Sequence, residues 1–547
     1  MATVWSCEIL NGLSFKTCKE QDMVHHPILV NGEWREASFP VSSFKAINPI
    51  SGKQLPDSFP VSSFLDIDEM LQAEKAGRES LQQVSFTQRS DFLQALCDAL
   101  KQNAEELCQT AHIETGLNYS PFLVEQEFSI MLQQLDEAAK FCLNRTWRDA
   151  TIDTRSNVRS IRGPLPGPVV IFGPACNPFS LNSCGGNDFA CAIVSGNSII
   201  AKANPALPLT SYKLAKIISQ IVSQLELPGF MFQFFFDTTS DLGLRLAAHP
   251  MIGAIAFTGS KKAGMLLKES ADHAGNLSFI GMSGPNPVVL LPGAVNEQKN
   301  QIARQLSDSV RLNEGQTCHK PGIVFLVENK ESSTLIRAMV DEFNAASSKP
   351  LLSDVTARNL DSQLSHFIRL GARKITRKEF YQPTPFLHPY TILHLDIKTW
   401  LQKAAQLQDE AFGPAILFVT LENDTQFAAA VNQLDNLNSL SLYSDISGAD
   451  DHIYRQIAPL CRQKCARLLD DRLPSPFGPT TAQASGGCFP ASNQPGFGFF
   501  GMPAAIKRFT AIHCYDNVRQ TRLPEDLQIP GSNPHTIRSI DGKYSDQ

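Results

Sequence analysis

Hydrophobic residues in the first third of the chain recur at helical spacing. Across residues 66–143, the apolar side chains fall on one side of a helical repeat rather than alternating. The positions that define this face include Phe92, Leu93, Leu96 and Leu100. Such a stripe is typical of helices packed against a core, so the pattern predicts a helical layer here.

The pattern changes after residue 168 to short, continuous apolar runs separated by helical stretches. A run that is apolar at every position is typical of a parallel strand covered on both faces. The strands predicted in this way are 169–172, a run ending at Lys202, 232–236 and 252–257. Strands that alternate with helices predict a parallel α/β sheet that binds a ligand at its strand ends.

A second α/β unit is predicted beyond Asn286-Pro287. Its apolar runs at 288–291, 323–327 and 415–421 predict strands, and residues 333–346 predict a helix. The segment 474–501 is rich in glycine, proline and serine, which predicts a loop.

Composition limits the kinds of partner. A chain of 547 residues is expected to form about two or three domains. Its net charge of -6 gives no reason to expect nucleic acid or an anionic membrane surface as a partner. Apolar runs fall short of the about eighteen residues of a membrane helix, and we expect no membrane association.

The cysteines indicate a reducing compartment. There are 13, an odd number, and they are scattered without a Cys-x-x-Cys pair. Cys461 and Cys465 are near each other, but no second ligand pair accompanies them. We therefore expect no metal site, no disulfide framework and, with no secretory signal evident, a cytoplasmic protein.

Cys318 is the candidate nucleophile. A helical run leads into a turn at Gly315, and the turn presents Cys318 before the strand at 323–327. A thiol at such a position can meet a substrate carbonyl, and thiolate is a strong nucleophile near neutral pH. The local pattern is also compatible with one more buried thiol, because cysteine is often buried.

The motif Asn313-x-Gly315-Gln316-x-Cys318 resembles the catalytic-cysteine motif of the aldehyde dehydrogenase superfamily. The resemblance extends over roughly residues 27–543, and in particular to the 2,5-dioxovalerate (alpha-ketoglutaric semialdehyde) dehydrogenase branch. It implies an α/β fold with a Rossmann-type parallel-sheet cofactor domain, an α/β catalytic domain and a small β oligomerisation arm.

The resemblance also implies domain boundaries. The expected segments are an N-terminal leader at 1–26, a NAD(P)-binding domain at 27–146 and 164–285, an oligomerisation arm at 147–163 and 502–520, a catalytic domain at 286–480, an active-site loop at 481–501 and a C-terminal tail at 521–547. The arm implies a homodimer or homotetramer, by analogy with the family.

The cofactor side matches several family motifs. Lys202 matches the lysine that reaches toward the adenosine ribose, and Phe257-Thr258-Gly259-Ser260 matches the turn beneath the pyrophosphate. Glu410 and Phe412 match the pair that holds the nicotinamide-side ribose. No acid stands at 203–205, where one would bind a 2'-hydroxyl, so the resemblance favours NADP slightly over NAD.

The catalytic helpers depart from the family pattern. Cys176 stands where the branch carries the asparagine that holds the oxyanion, and Asn177, one place later, is the candidate substitute. Gly281 stands where the branch carries the glutamate that activates water. Glu314 has no readable direction and His319 is expected at the surface, so the sequence supplies no convincing substitute base.

Three hypotheses remain open. The favoured one is NAD(P)-dependent oxidation of an aldehyde, with a semialdehyde as one candidate, through a Cys318 thiohemiacetal and thioester. The second is an acylating dehydrogenase that transfers its acyl group to a thiol such as coenzyme A. The third is a catalytically silent nucleotide-binding protein. Residues 127–131 are largely apolar where the branch tends to carry arginines, so the substrate pocket is expected to be less selective for acids.

Overall fold

The structure is a computed structural model that describes residues 25–377, 386–474, 480–483, 485–530 and 536–545. The predicted leader lies outside the described residues except for residues 25 and 26. None of the described helices combines the length and the apolar character needed to cross a membrane.

The first of two large sheets has seven strands. In spatial order they are Ser278–Met282, Ala254–Gly259, Val169–Phe172, Ile199–Ala203, Phe232–Phe236, Ile28–Val30 and Glu33–Arg35. The first five are parallel, and the last two form a hairpin that joins them antiparallel. The strand order reverses at Val169–Phe172, which has later strands on both sides, and ligands bind at such a switch point in open α/β sheets.

Helices cover both faces of this sheet. They are Phe64–Gln82, Phe86–Gln102, Ala104–Thr115, Ser129–Asn144, Asn187–Ser195, Pro208–Gln224, Asp241–Ala247 and Lys261–Ala274, with a π-helical segment at Tyr119–Phe128. The predicted apolar stripe is confirmed, because Phe92, Leu93, Leu96 and Leu100 are fully buried. Burying this stripe against the helices Ser129–Asn144, Asn187–Ser195 and Pro208–Gln224 stabilises the layer, since each large apolar side chain contributes about 1.5–3 kcal/mol.

The second large sheet also has seven strands. In spatial order they are Arg373–Lys374, Thr391–Asp396, Ala415–Leu421, Ile323–Val327, Val288–Leu290, Leu437–Tyr443 and Cys465–Asp470. All are parallel except the short edge strand Arg373–Lys374. Its helices are Pro292–Arg311, Lys330–Ala345, Asp354–Arg369, Ile397–Leu407, Phe427–Asn432 and Asp451–Lys464. The α/β fold class predicted from the sequence is confirmed.

A third sheet has five strands and includes strands from both segments predicted to form an arm. In spatial order they are Thr510–Asp516, Val158–Pro164, Ala150–Asp153, Arg538–Ile540 and Lys543–Ser545. The last two strands come from the segment predicted only as a tail, and Arg538–Ile540 pairs parallel with Ala150–Asp153. Two small antiparallel sheets of two strands each pair Ser42–Phe44 with Phe59–Val61 and Ile47–Asn48 with Lys53–Gln54.

Candidate functional site

A cleft of about 940 Å³ lies between the two large sheets. The first sheet contributes the carboxyl ends of its strands, and the second contributes the loops that precede its strands. The predicted site residues that line the cleft are Phe257, Thr258, Gly259, Ser260, Cys318, Glu410 and Phe412. Lys202 and Asn177 are not among the cleft-lining residues in the described part of the chain.

The turn that presents Cys318 has an unusual backbone. The helix Pro292–Arg311 ends in a short 3-10 turn, in which Asn313, Glu314 and Gly315 have φ of 49°, 56° and 66°. A Cβ at Gly315 would lie 2.1 Å from the carbonyl oxygen of Gly413. Glycine is therefore required at 315, because only its backbone lets the turn pack directly against the loop of Glu410 and Phe412.

The side chain of Asn286 holds the turn of Cys318 by hydrogen bonds. Its Nδ2 donates to the carbonyl oxygens of Cys318 at 3.0 Å and Lys320 at 3.2 Å, and its Oδ1 accepts from Ser439 Oγ at 2.7 Å. The residue is 2% exposed, so these bonds are shielded from water. From the sequence, Asn286 marks only the start of the second α/β unit, because an Asn-Pro pair by itself indicates a turn and not a hydrogen-bonding role.

The Cys318 thiol is protonated at neutral pH. It is half-buried, and burial raises its pKa to about 12, with further increases from the Glu127 and Glu410 carboxyls. A protonated thiol is a weak nucleophile. Attack on a carbonyl therefore requires removal of the thiol proton as the bond forms.

Asn177 does not face the cleft as the sequence predicts. Its Nδ2 donates to Glu127 Oε1 at 2.8 Å, and its Oδ1 accepts from Cys176 Sγ at 3.3 Å. Cys176 lines the cleft, but its S–H is directed at Asn177. A role for Asn177 as the oxyanion amide stays a prediction that this geometry does not support, which leaves the Cys318 backbone N–H as the candidate donor.

A side chain at position 281 would be in tight contact with its neighbours. Gly281 lines the cleft, and a Cβ built on it would lie 3.2 Å from Phe499 Cδ1 and 3.4 Å from Thr258 Oγ1. Phe499 is buried and packs under the guanidinium of Arg508, 4.9 Å from the ring centre. The aromatic ring therefore occupies part of the space beside Gly281.

Restoring the glutamate by Gly281→Glu is expected to destabilise the protein and not to raise turnover. Overpacking beside Phe499 typically costs about 1–3 kcal/mol. Thermal unfolding and steady-state NAD(P)H formation should be measured together. Gly281→Ala, which adds only the Cβ, is the matched control and should cost less. A folded Gly281→Glu variant with faster turnover would show that the site does accept a carboxyl at 281.

The N-terminus of a helix faces one end of the cleft. Ser260 caps the helix Lys261–Ala274, and its side chain accepts from the Ala263 backbone N–H at 3.4 Å. Ser260, Lys262 and Ala263 all line the cleft. Free amides, the helix dipole and a lysine suit a pyrophosphate, so this part of the site fits a dinucleotide.

Lys202 lies behind the cleft wall, beside an acid that the sequence argument missed. Burial lowers the pKa of its ammonium to about 8, and the Asp237 carboxylate opposes that shift. Asp237 follows the strand Phe232–Phe236, which pairs in register with Ile199–Ala203, and is fully buried. The sequence analysis considered only residues 203–205, where no acid stands, and so it did not reveal the acid that folding brings near Lys202.

Glu410 lines the cleft with a carboxyl whose pKa is shifted. Burial raises its pKa to about 7, although Lys320 and a hydrogen bond with Ser283 oppose the increase. Its Oε1 is buried and has no hydrogen-bond partner among the described residues. Lys320 Nζ donates to the carbonyl oxygens of Ala411 at 3.1 Å and Ala415 at 2.8 Å. A buried oxygen without a partner, on a residue that lines the cleft, fits a ligand hydroxyl or an ordered water.

His319 and Glu314 are close to Cys318 in the sequence, but both side chains are buried outside the described cleft lining. His319 is 4% exposed, so the expectation of a surface histidine is wrong, and burial lowers its pKa to about 4. Glu314 is buried and accepts from Tyr390 Oη at 2.9 Å, and burial raises its pKa to about 7. Glu314 is absent from the cleft-lining residues of the described chain.

The fold and the cleft together define a class of protein. The described residues contain no group of three or more histidine, cysteine or acidic side chains placed to hold a metal ion. A parallel sheet with a switch point, an anion site at a helix N-terminus and a thiol across the same cleft define a dinucleotide-binding α/β protein with a candidate cysteine nucleophile.

Residues 34–457 match the model of the aldehyde dehydrogenase family, and the chain belongs to that family. Oxidation of aldehydes with NAD or NADP is the chemistry of the family, so the protein is assigned to the oxidoreductases. The superfamily resemblance carried by the cysteine motif is thereby confirmed.

Curated relatives cover most of the chain. Alpha-ketoglutaric semialdehyde dehydrogenase 2 of Azospirillum brasilense is 30% identical over 474 residues, 83% of this chain and 87% of the relative. Alpha-ketoglutaric semialdehyde dehydrogenase of Acinetobacter baylyi is 25% identical over 531 residues, 94% and 97% of the two chains. The crystal structure of lactaldehyde dehydrogenase from Escherichia coli matches with a TM-score of 0.77 at 17% identity, over 90% of this chain and 99% of the other, which shows the shared fold.

Proposed function

We propose that the protein oxidises an aldehyde to the acid with Cys318 as the nucleophile. The observation that carries this proposal is that Cys318 lies across one cleft from the turn 257–260 and from Glu410 and Phe412. The thiol sulfur attacks the aldehyde carbon as the thiol proton passes to the carbonyl oxygen, giving a thiohemiacetal. NAD(P), when bound, would supply the hydride acceptor, and loss of the hydride together with the hydroxyl proton would leave a thioester on Cys318.

A semialdehyde is the proposed substrate class. Two relatives are dehydrogenases of alpha-ketoglutaric semialdehyde, a substrate with a distal carboxylate. The described cleft lining includes no arginine that would hold this carboxylate. Met131, in the segment 127–131 where the branch tends to carry arginines, is fully buried. These features support a pocket that also takes less acidic aldehydes.

Two features bear on the choice between NADP and NAD. The absence of an acid at 203–205 favours NADP slightly. Asp237 favours NAD, because a 2'-phosphate near Lys202 would meet a second negative charge in a buried setting. We therefore propose NAD or NADP as the cofactor, with Lys202 and the N-terminus of the helix Lys261–Ala274 as its principal binding groups.

We further propose a homodimer or homotetramer assembled through the arm. Thr510–Asp516 is the edge strand of the arm sheet, and Ile512 on it is 67% exposed. An unpaired edge with an exposed apolar residue supports pairing with a second copy. The described cysteines are free thiols, which supports a reducing cytoplasm as the compartment.

Rapid mixing of the protein with a semialdehyde in excess is expected to give a burst of NAD(P)H. The burst should approach one equivalent per subunit, because acylation needs Cys318 but not the residue replaced by Gly281. The slower phase that follows then measures thioester hydrolysis. The reaction should be followed by absorbance in the millisecond to second range with each cofactor.

The alternatives give different traces. A stall after the burst that resumes on addition of coenzyme A would select the acylating reaction. A flat trace with several aldehydes and both cofactors, while NADH or NADPH still binds, would contradict the proposed oxidation and select a silent nucleotide-binding protein.

A further inference from the structure

Hydrolysis of the thioester needs a base that Gly281 cannot supply. Two carboxyls act strongly enough on the Cys318 thiol to raise its pKa, those of Glu127 and Glu410. Glu314 is the acidic residue nearest to Cys318 in the sequence. Its carboxyl accepts a hydrogen bond from Tyr390, and it is absent from the described cleft lining. Glu127 and Glu410 are therefore the two candidates for a substitute base.

Glu127 is fully engaged in structural hydrogen bonds. Its Oε1 accepts from Asn177 Nδ2 at 2.8 Å and Ser180 Oγ at 2.9 Å. Its Oε2 accepts from the Ser180 and Phe179 backbone N–H groups at 3.2 Å and 3.4 Å. A carboxyl that already holds a loop by both oxygens has no free lone pair directed at a water beside Cys318. Glu127 is therefore a positioning residue for the loop of Cys176.

Glu410 has the opposite arrangement. It lines the same cleft as Cys318, and its Oε1 has no hydrogen-bond partner among the described residues. Ser283, also in the cleft wall, makes a hydrogen bond with its carboxyl. Lys320, two residues after Cys318, donates to backbone oxygens on either side of the same loop and so fixes Glu410 relative to the thiol turn.

We propose that Glu410 is the general base that activates water for hydrolysis of the Cys318 thioester. This inference rests on the proposed function and names the residue that performs its second half-reaction. The same carboxyl is proposed to hold the cofactor ribose, so the two uses of Glu410 are sequential.

In this step Glu410 accepts one proton from water and later returns it to the Cys318 sulfur. The Glu410 carboxylate takes a proton from water as the water oxygen bonds to the thioester carbon. The tetrahedral intermediate then breaks its C–S bond, which releases the carboxylic acid and the Cys318 thiolate. Protonated Glu410 returns its proton to that thiolate, so the thiol and the carboxylate are both restored, and no oxidant or reductant is consumed.

The rate of hydrolysis should rise with pH through about 7. Only the carboxylate form of Glu410 accepts a proton, and its pKa is raised to about 7. Lys320 faces it as a cation, and Cys318 and Cys176 face it as thiols whose own pKa values are raised, the latter well above its ordinary value. The ion pair of Lys261 with Asp409 lies beside it in the cleft wall.

Turnover of p-nitrophenyl acetate without cofactor isolates this step. The activated ester acylates a thiol directly, so a burst of p-nitrophenol reports acylation of Cys318 and the slow phase reports hydrolysis. Glu410→Gln is expected to keep the burst and to slow the second phase by about a hundred-fold or more, the usual contribution of a positioned base. The acetylated protein should then accumulate in intact-mass spectra, and the rise of the rate through pH 7 should disappear.

Asp409→Asn is the matched control, since it removes a carboxylate from the same cleft wall, and its slow phase should stay near the wild-type rate. Glu410→Asp should recover part of the rate. An unchanged slow phase in Glu410→Gln, or an equal loss in Asp409→Asn, would overturn the role of Glu410 and leave the nucleophile intact. A wild-type protein with no burst would overturn the proposed function itself.

Discussion

Replacing Cys318 with alanine is expected to lower NAD(P)H formation by about ten-thousand-fold or more, the scale seen when a covalent nucleophile is removed. The fold should persist, because the turn is held by hydrogen bonds from the Asn286 side-chain amide to backbone carbonyls rather than by the thiol. Gly315 packing against Gly413 is likewise independent of the sulfur. Stopped-flow absorbance measures the loss, and titration with NADH or NADPH checks that cofactor binding survives.

Cys176→Ala is the matched control for this experiment. Cys176 lines the same cleft, but it is buried and its S–H is bound to Asn177. We expect its activity to fall by less than about ten-fold, since no reacting bond is lost. If Cys176→Ala were inactive and Cys318→Ala active, the nucleophile would be the other thiol of the cleft.

Asp526→Ala is expected to lower the free energy of unfolding by about 3–5 kcal/mol, the cost of leaving buried cations without their partner. Asp526 is fully buried and accepts from Arg145 Nη1 at 3.1 Å and Thr536 Oγ1 at 2.9 Å, and it also pairs with Arg148. Its backbone oxygen accepts from Arg538 Nε at 2.9 Å. The change therefore loosens the junction between the arm and the C-terminal strands, and urea unfolding measures it.

Glu525→Ala tests whether burial is the reason. Glu525 is next to Asp526 and lies 3.6 Å from Arg145 Nη1, but its side chain is 66% exposed. An exposed pair of this kind contributes at most about 1 kcal/mol, so a small change is expected. Equal losses in the two variants would contradict the buried-cluster explanation.

The sequence by itself determined several strands of each large sheet. The runs predicted at 169–172, 232–236, 323–327 and 415–421 have the same boundaries in the structure. Continuous apolar runs are compatible with few settings other than a covered parallel strand, so the local pattern suffices. The strand predicted at 252–257 is Ala254–Gly259, because the Gly253 N–H donates to Pro168 in a preceding turn.

Most of the site residues that the sequence motifs selected line the cleft, because each motif combines a local turn with a chemical group. They could not assign partners to those groups. Asn286, Glu127 and Asp237 act on residues that are 32 or more positions away, across loops whose paths no local period describes.

Tertiary structure therefore decided which polar groups are used. It placed His319 inside, directed Asn177 at Glu127, and left one oxygen of Glu410 without a partner in the described chain. Burial and hydrogen bonding set the pKa of such groups and the direction of their lone pairs, and both depend on neighbours brought together by folding.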